Sequence, residues 1–201
     1  PADSHFLKFF GGDGDQEGVD LVIAPDGTIL MFGTSELPNG LRQWYLVNAD
    51  ANGNLLWERT YGDPNKDDEA RDIELTSDGR IVLAGNEANS PGERDVFVMT
   101  LTLAGVALDS NRVQLVYGSG NMFDEDVMSV SRIGNEFFVA GSTTNLTIKP
   151  FDAQGSNDVR DALHLRFDDN LRLFDPDLIN GVWNPTNGFE ADDVAIKVHP
   201  S

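Results

Sequence analysis

The residues of this chain that could do chemistry are its clustered carboxylates. They fall in four short loops: Asp13, Asp15 and Glu17; Asp63, Asp67, Asp68 and Glu69; Asp124, Glu125 and Asp126; and Asp192 with Asp193. Hard cations need several carboxylate or carbonyl oxygens, so Ca²⁺ is the candidate metal for Asp13, Asp15, Glu17, Asp67, Asp68, Glu69, Asp124, Glu125 and Asp126. Yet "DGDQEG" from Asp13 lacks the twelve-residue EF-hand pattern, and "DANGN" from Asp50 reads as Asn-Gly turn chemistry. The same loops also read as an electronegative face that docks a partner, or as a solvated edge. All three readings stay open. Paired carboxylates could run glycoside hydrolysis, but acidic residues are too abundant here to single out a pair.

No other catalytic constellation is present. The histidines, His5, His164 and His199, lie far apart in unrelated contexts. His164 alternates with Leu163 and Leu165, which reads as a packing or hydrogen-bonding position. No HExxH, GxSxG or Cys–His arrangement occurs, and there is no cysteine at all. The expectation is a protein without catalytic activity or cofactor, Ca²⁺ excepted.

The balance of 34 Asp plus Glu against 14 Lys plus Arg gives a net charge of −20 over 201 residues. That repels phosphate backbones and excludes nucleic acid as a natural partner. No run approaches the roughly 20 apolar residues of a membrane span. The chain begins "PADSHF", so an upstream signal or lipid anchor is an expectation that these residues do not test.

The elements that must position the loops come from an internal repeat. "FGGDGDQEGVDLVIAPDGTILMFGTS" from Phe10, "YGDPNKDDEARDIELTSDGRIVLAGN" from Tyr61 and "YGSGNMFDEDVMSVSRIGNEFFVAGS" from Tyr117 share one grammar. Each has an aromatic–Gly start, an acidic loop, an alternating strand, a tight turn, a second apolar strand and a closing glycine. Glu17, Glu69 and Asp126 are equivalent, separated by 52 and 57 residues, and "GFEADDVAIKV" opens a fourth copy at Glu190. After Gly33, Gly85 and Gly141 come a variable loop, a third strand ("RQWYLVNAD", "DVFVMTLTL" or "DALHLRFDD"), a short turn and a fourth strand ("NLLWERTYG", "RVQLVYGSG" or "LRLFDPDLI"). Asp26-Gly27 and Asp78-Gly79 supply the positive-φ positions of hairpin turns.

Four short antiparallel strands per unit of about 50 residues, with no helical periodicity, predict an all-β, propeller-type array. The units run approximately 10–60, 61–116 and 117–181, with the start of a fourth at 182–201. A solenoid of stacked hairpins is the competing architecture. "HFLKFFGG" aligns with the fourth strands, as a lone outer strand would. Fragments at both ends would leave open edges, so further residues after Ser201 or another chain are expected to complete the array.

These units resemble the bacterial β-propeller repeats of secreted and surface lipoproteins, of the delta-60-like and seven-bladed-propeller-repeat type. The matching residues include Gly11-Gly12, Asp26-Gly27, Gly33, Asn52-Gly53, Trp57, Tyr61-Gly62, Asp78-Gly79, Ala84-Gly85, Tyr117-Gly118 and Gly141. Copy three departs from the grammar, with "IGN" for the Asp-Gly turn and extra residues after Gly141. The resemblance implies an extracytoplasmic setting (cell surface, periplasm or secreted) and supplies no shared catalytic residues.

The resulting functional expectation is a non-catalytic binding or scaffold module of the cell envelope that docks a protein partner through acidic loops. A carbohydrate-binding or glycoside-acting propeller and a calcium-stabilised structural repeat are the alternatives. The loop Ser142–Asp158 breaks the repeat and is a second contact candidate, with Lys149, Phe151 and Asp152 as its partner-binding residues. The recurring aromatics Phe10, Trp57, Tyr61 and Tyr117 read as packing between units.

Overall fold

The computed structural model describes residues 7–90, 93–113, 116–117, 121–122, 124–144 and 160–179. All regular structure among them is β. The first sheet holds β1 (Gln16–Ile23), β2 (Ile29–Glu36), β3 (Arg42–Ala49) and β4 (Leu55–Tyr61). The second holds β5 (Asp68–Leu75), β6 (Arg80–Ser90), β7 (Glu93–Thr102) and β8 (Ala107–Val113). A short ladder joins β9 (Val116–Tyr117) to β10 (Asn121–Met122). The third sheet holds β11 (Glu125–Ile133), β12 (Glu136–Thr143), β13 (Asp161–Phe167) and β14 (Leu173–Ile179). Each four-stranded sheet is an antiparallel meander in chain order. The predicted all-β repeat of four-stranded units is therefore present, and the described residues form no closed ring of sheets. No helix among the described residues is long and apolar enough to cross a membrane.

One predicted strand differs. The sequence placed the fourth strand of the second unit on "RVQLVYGSG", whereas β8 starts earlier, at Ala107. The turn fixes it: Gly105 donates its N–H to the Thr102 carbonyl, and Leu101 pairs with Ala107 immediately beyond. The second unit is longer between this turn and its aromatic–Gly, and the surplus falls after Val113.

The sheets stack face to face, with β5 on β1, β2 and β3, and β11 on β5, β6 and β7. Period-2 alternation explains the unbroken apolar run in β6. Ile81 and Leu83 join Phe32, Trp44 and Leu46 between the first two sheets. Val82 and Ala84 join Val127, Val139 and Leu165 between the second and third. Trp44 is fully buried at the first joint, edge-on to Phe32 (centroids 5.3 Å) and tilted against Phe97 (4.8 Å).

Every first strand carries a β-bulge, between Gly18 and Asp20, Ala70 and Asp72, and Val127 and Ser129. The bulge brings a carbonyl over the closing glycine. A Cβ at Gly33, Gly85 or Gly141 would lie 1.9, 2.2 or 2.0 Å from the carbonyl oxygen of Glu17, Glu69 or Asp126. Past the bulge, Asp72 accepts the Val130 N–H at 2.8 Å, and Asp20 faces the Ile73 N–H at 3.5 Å. The same carboxylate thus ties neighbouring first strands at each joint.

Outer strands close the joints in two chemically different ways. Tyr61 donates its hydroxyl to the Gly105 carbonyl, and Trp57 and Tyr61 pack where a Cβ on Gly105 would stand 2.9–3.1 Å away. At the second joint Asn111 donates to the Leu171 carbonyl at the corresponding turn. Leu171 adopts φ 56° and is 2% exposed. The positive φ favours glycine, but β8 carries no aromatic like Trp57 or Tyr61, and Leu171 is itself buried in the core between the second and third sheets.

Candidate functional site: arginine–carboxylate joints and a buried acidic row

The acidic loops lead into first strands, and at the first two joints an arginine at or next to the start of the preceding sheet's third strand is aimed at them. Arg42 opens β3. Its Nη2 lies 2.5 Å from Asp67 Oδ2, its Nε 3.0 Å from Oδ1 and its Nη1 2.5 Å from Glu69 Oε1, while its backbone N–H donates to Asp67 Oδ1. Arg94 repeats this on Asp124, with Nε–Oδ1 at 2.9 Å and Nη2–Oδ2 at 3.0 Å, and again its backbone N–H joins. Arg71 bridges Glu69 and Asp126, at 2.8 and 3.0 Å. Arg160, the third equivalent, turns to Asp124 Oδ2 of its own sheet at 2.6 Å.

Bidentate guanidinium–carboxylate pairs are the strong, directional form of ion pair. The Arg42 hydrogen bond holds the Asp67 carboxyl below its usual range, and Asp67 in turn raises Arg42. Burial pushes Asp124 and Glu69 up, but Arg94 and Arg160 on the former and Arg42, Arg71 and Arg94 on the latter outweigh it, leaving both lowered. Truncating Arg94 to alanine removes the bidentate partner of Asp124, leaving it Arg160 alone, and one of three guanidiniums at Glu69. The expected cost is about 2–3 kcal/mol at pH 7 in denaturant unfolding, with Arg94→Lys restoring only part of it. Because the carboxyl values are lowered, this difference shrinks as pH falls through them; a cost that is independent of pH would identify lost packing instead.

The nine candidate metal ligands are therefore distributed by role. Asp67, Glu69, Asp124 and Asp126 face arginines across the joints. Asp68 and Glu125 are fully buried. Asp13, Asp15 and Glu17, in the first unit, face solvent. Among the described residues, no three His, Cys, Asp or Glu side chains converge to hold a metal ion. Lys149, Phe151, Asp152, Asp192 and Asp193 lie outside the described residues. His164 stacks on Phe138, with ring centroids 5.3 Å apart and planes 10° apart, in keeping with a packing position.

Asp68 belongs to a second feature. In the second sheet Asp68 pairs with Glu87 across β5–β6, and Glu87 with Asp95 across β6–β7. Directly opposed residues share a face, so three carboxylates stand in one row, each no more than 1% exposed. Lys66 and Arg112 both pair with Glu87. Neither oxygen of Asp68 or Asp95 accepts a hydrogen bond, although the Asp63 backbone N–H lies toward Asp68. Burial, then the Glu87 charge, push Asp68 up to about 7. Burial also dominates at Asp95, pushed up to about 6 against the pull of Arg112 and Lys66. Gly62, at φ 110°, lets the row reach the first sheet: a Cβ there would sit 1.9 Å from Asp68 Oδ2 and 3.7 Å from Gln43 Nε2.

The same row is Gln16–Ser35–Gln43 in the first sheet and Glu125–Thr143–Asp161 in the third. It is polar every time, and its charge is a property of the individual copy. Sequence reading singled out Asp68 but missed Glu87, Asp95, Lys66 and Arg112, and it missed Arg42, Arg94 and Arg160. The recurrence of arginine at the head of each third strand was the available signal for the last three.

Fold and site together define a class: an all-β protein of stacked four-stranded antiparallel sheets, each joint fastened by arginine on carboxylate. Comparison with protein-family models and with curated proteins returns no match.

Proposed function

We propose that this chain is a propeller-type repeat array serving as a non-catalytic binding scaffold outside the cytoplasm, and that its partner surface is the open face of the first unit. One contrast carries the reading. Equivalent positions are consumed at the internal joints and available on the first sheet: Leu21 is 54% exposed where its counterpart Ile73 is 2% exposed. Val19 and Ile23 are exposed beside it, and Asp13, Asp15 and Glu17 face solvent above them. An apolar patch rimmed by charge is the usual composition of a docking surface. The repeat resemblance supports the extracytoplasmic setting.

Carbodiimide crosslinking of the chain in envelope extracts tests this. Partner lysines should couple to Asp13, Asp15 and Glu17 in preference to other exposed carboxylates such as Asp26, Asp78 and Asp109. Coupling spread in proportion to carboxylate exposure would remove the proposal.

A further inference from the structure

The turn after β3 and the turn after β13 share one hydrogen-bond pattern. In the first unit Asp50 Oδ1 accepts the N–H groups of Asn52 and Asn54, and Gly53 donates its N–H to the Asp50 carbonyl at 2.9 Å. In the third unit Asp168 Oδ1 accepts the N–H groups of Asn170 and Arg172, and Leu171 donates to the Asp168 carbonyl at 3.0 Å. Gly53 and Leu171 both lie at positive φ, 74° and 56°. Asn52 and Asn170 are exposed, and among the described residues neither side chain has a hydrogen-bond partner. A third exposed asparagine, Asn39, precedes Gly40 between β2 and β3. Its side chain is held at both ends: Oδ1 accepts the Leu41 N–H at 3.1 Å, and Nδ2 donates to the Pro64 carbonyl at 3.2 Å.

An asparagine side chain is an electrophile for the amide nitrogen of the next residue. That nitrogen attacks Cγ and forms a C–N bond, the Cγ–Nδ2 bond breaks, and the nitrogen's proton leaves with Nδ2 as ammonia. Water then opens the five-membered succinimide at either carbonyl, giving aspartate or isoaspartate, and nothing is oxidised or reduced. Closure requires Cγ to rotate onto the nitrogen, so it needs a free side chain and an unobstructed successor. Glycine, without a Cβ, is the least obstructed. Asn39 has the glycine, but rotation there breaks two hydrogen bonds. Asn170 has the free side chain, but its successor is a leucine only 2% exposed. Of the three, Asn52 combines both conditions.

We propose that Asn52 is a site of spontaneous deamidation in the folded chain, converting the β3–β4 turn to aspartyl and isoaspartyl forms while Asn39 and Asn170 persist. The consequence is local. A new carboxylate at 52 stands beside Asp50, whose Oδ1 fastens the turn through the N–H of that same residue. The isoaspartyl form also adds one main-chain atom ahead of Leu55, where the β3–β4 ladder already shifts register between Asn48 and Ala49. The end of this hairpin therefore loosens as the protein ages. Two further Asn-Gly pairs, 180–181 and 187–188, lie outside the described residues.

Incubation of the full chain at mildly alkaline pH, followed by peptide mapping with tandem mass spectrometry, tests this. Trypsin places Asn52, Asn39 and Asn170 in the separate peptides 43–59, 9–42 and 167–172. Asn52 should convert about tenfold faster than either of the others, with isoaspartate in its product. The same chain in urea supplies the comparison: Asn39 should then rise to the rate of Asn52, and Asn170 should stay slow. Equal rates at Asn39 and Asn52 in the folded chain overturn the proposal, because the Leu41 and Pro64 contacts would protect nothing. Equal rates at Asn52 and Asn170, or an Asn52 that stays intact, overturn it as well.

Discussion

Asp68→Asn raises stability at neutral pH by about 4 kcal/mol and leaves it nearly unchanged near pH 4. The expectation follows from the shift from 3.8 to about 7 in the folded protein, at about 1.4 kcal/mol per unit. The folded value lies above the unfolded one. As pH rises past 3.8 the unfolded chain therefore releases this proton first, and stability falls until the folded group also titrates near 7. Asparagine keeps the shape and never ionises. Asp95 contributes the same sign over the narrower window up to about 6. Asp67, Glu69 and Asp124 act oppositely, since their lowered values stabilise the fold above the unfolded range and lose that effect in acid. Wild type should accordingly be most stable under weakly acidic conditions. Urea unfolding of wild type and Asp68→Asn from pH 4 to pH 8 measures the difference. A variant less stable than wild type at pH 8 would mean that Lys66 and Arg112 hold the ionised row favourably, and the burial argument would fail.

Gly85→Ala should cost at least 3 kcal/mol and Gly18→Ala close to nothing. A Cβ on Gly85 would stand 2.2 Å from the Glu69 carbonyl oxygen and 3.0 Å from the buried Trp44 ring. Neither neighbour can yield: the carbonyl is fixed by the bulge, and Trp44 is wedged between Phe32 and Phe97. Overpacking of 1–3 kcal/mol is usual where side chains can adjust, and here the obstruction is backbone. Gly18, by contrast, has nothing within 4 Å of its would-be Cβ, and the second copy already carries Ala70 at that place. Its substitution should be neutral or mildly stabilising through the unfolded chain. Thermal melts of the two variants give the comparison, and equal losses would show that the bulge does not dictate the closing glycine.

Much of the strand order was legible because hairpins are local. Asp26-Gly27 and Asp78-Gly79 fix turns, period-2 alternation fixes strands on either side, and the repeat confirms each copy against the others. The start of β8 was misread for a related reason. An aromatic–Gly pair marked the end of the strand in the first unit, but the Gly105 turn sets the register, and the second unit has extra residues between the two. Little of the candidate site was legible. Arg42 and Asp67 are 25 residues apart and Arg94 and Asp124 are 30; they belong to different copies, so no local pattern joins them. Asp68, Glu87 and Asp95 look like three ordinary surface acids until the ladder lines them up.

The sequence by itself determined the repeat, the four-stranded units, their turns and the recurrence of acidic loops, since all of these depend on neighbours along the chain. Only the tertiary structure decided what the carboxylates are for. Stacking one sheet on the next delivers an arginine to the second and third loops and leaves the first facing water. It also buries one row of acids deeply enough to move their protonation toward neutral pH. The cause is the same throughout: a carboxylate's properties depend on which charges and how much water surround it, and here both are set by the adjacent sheet.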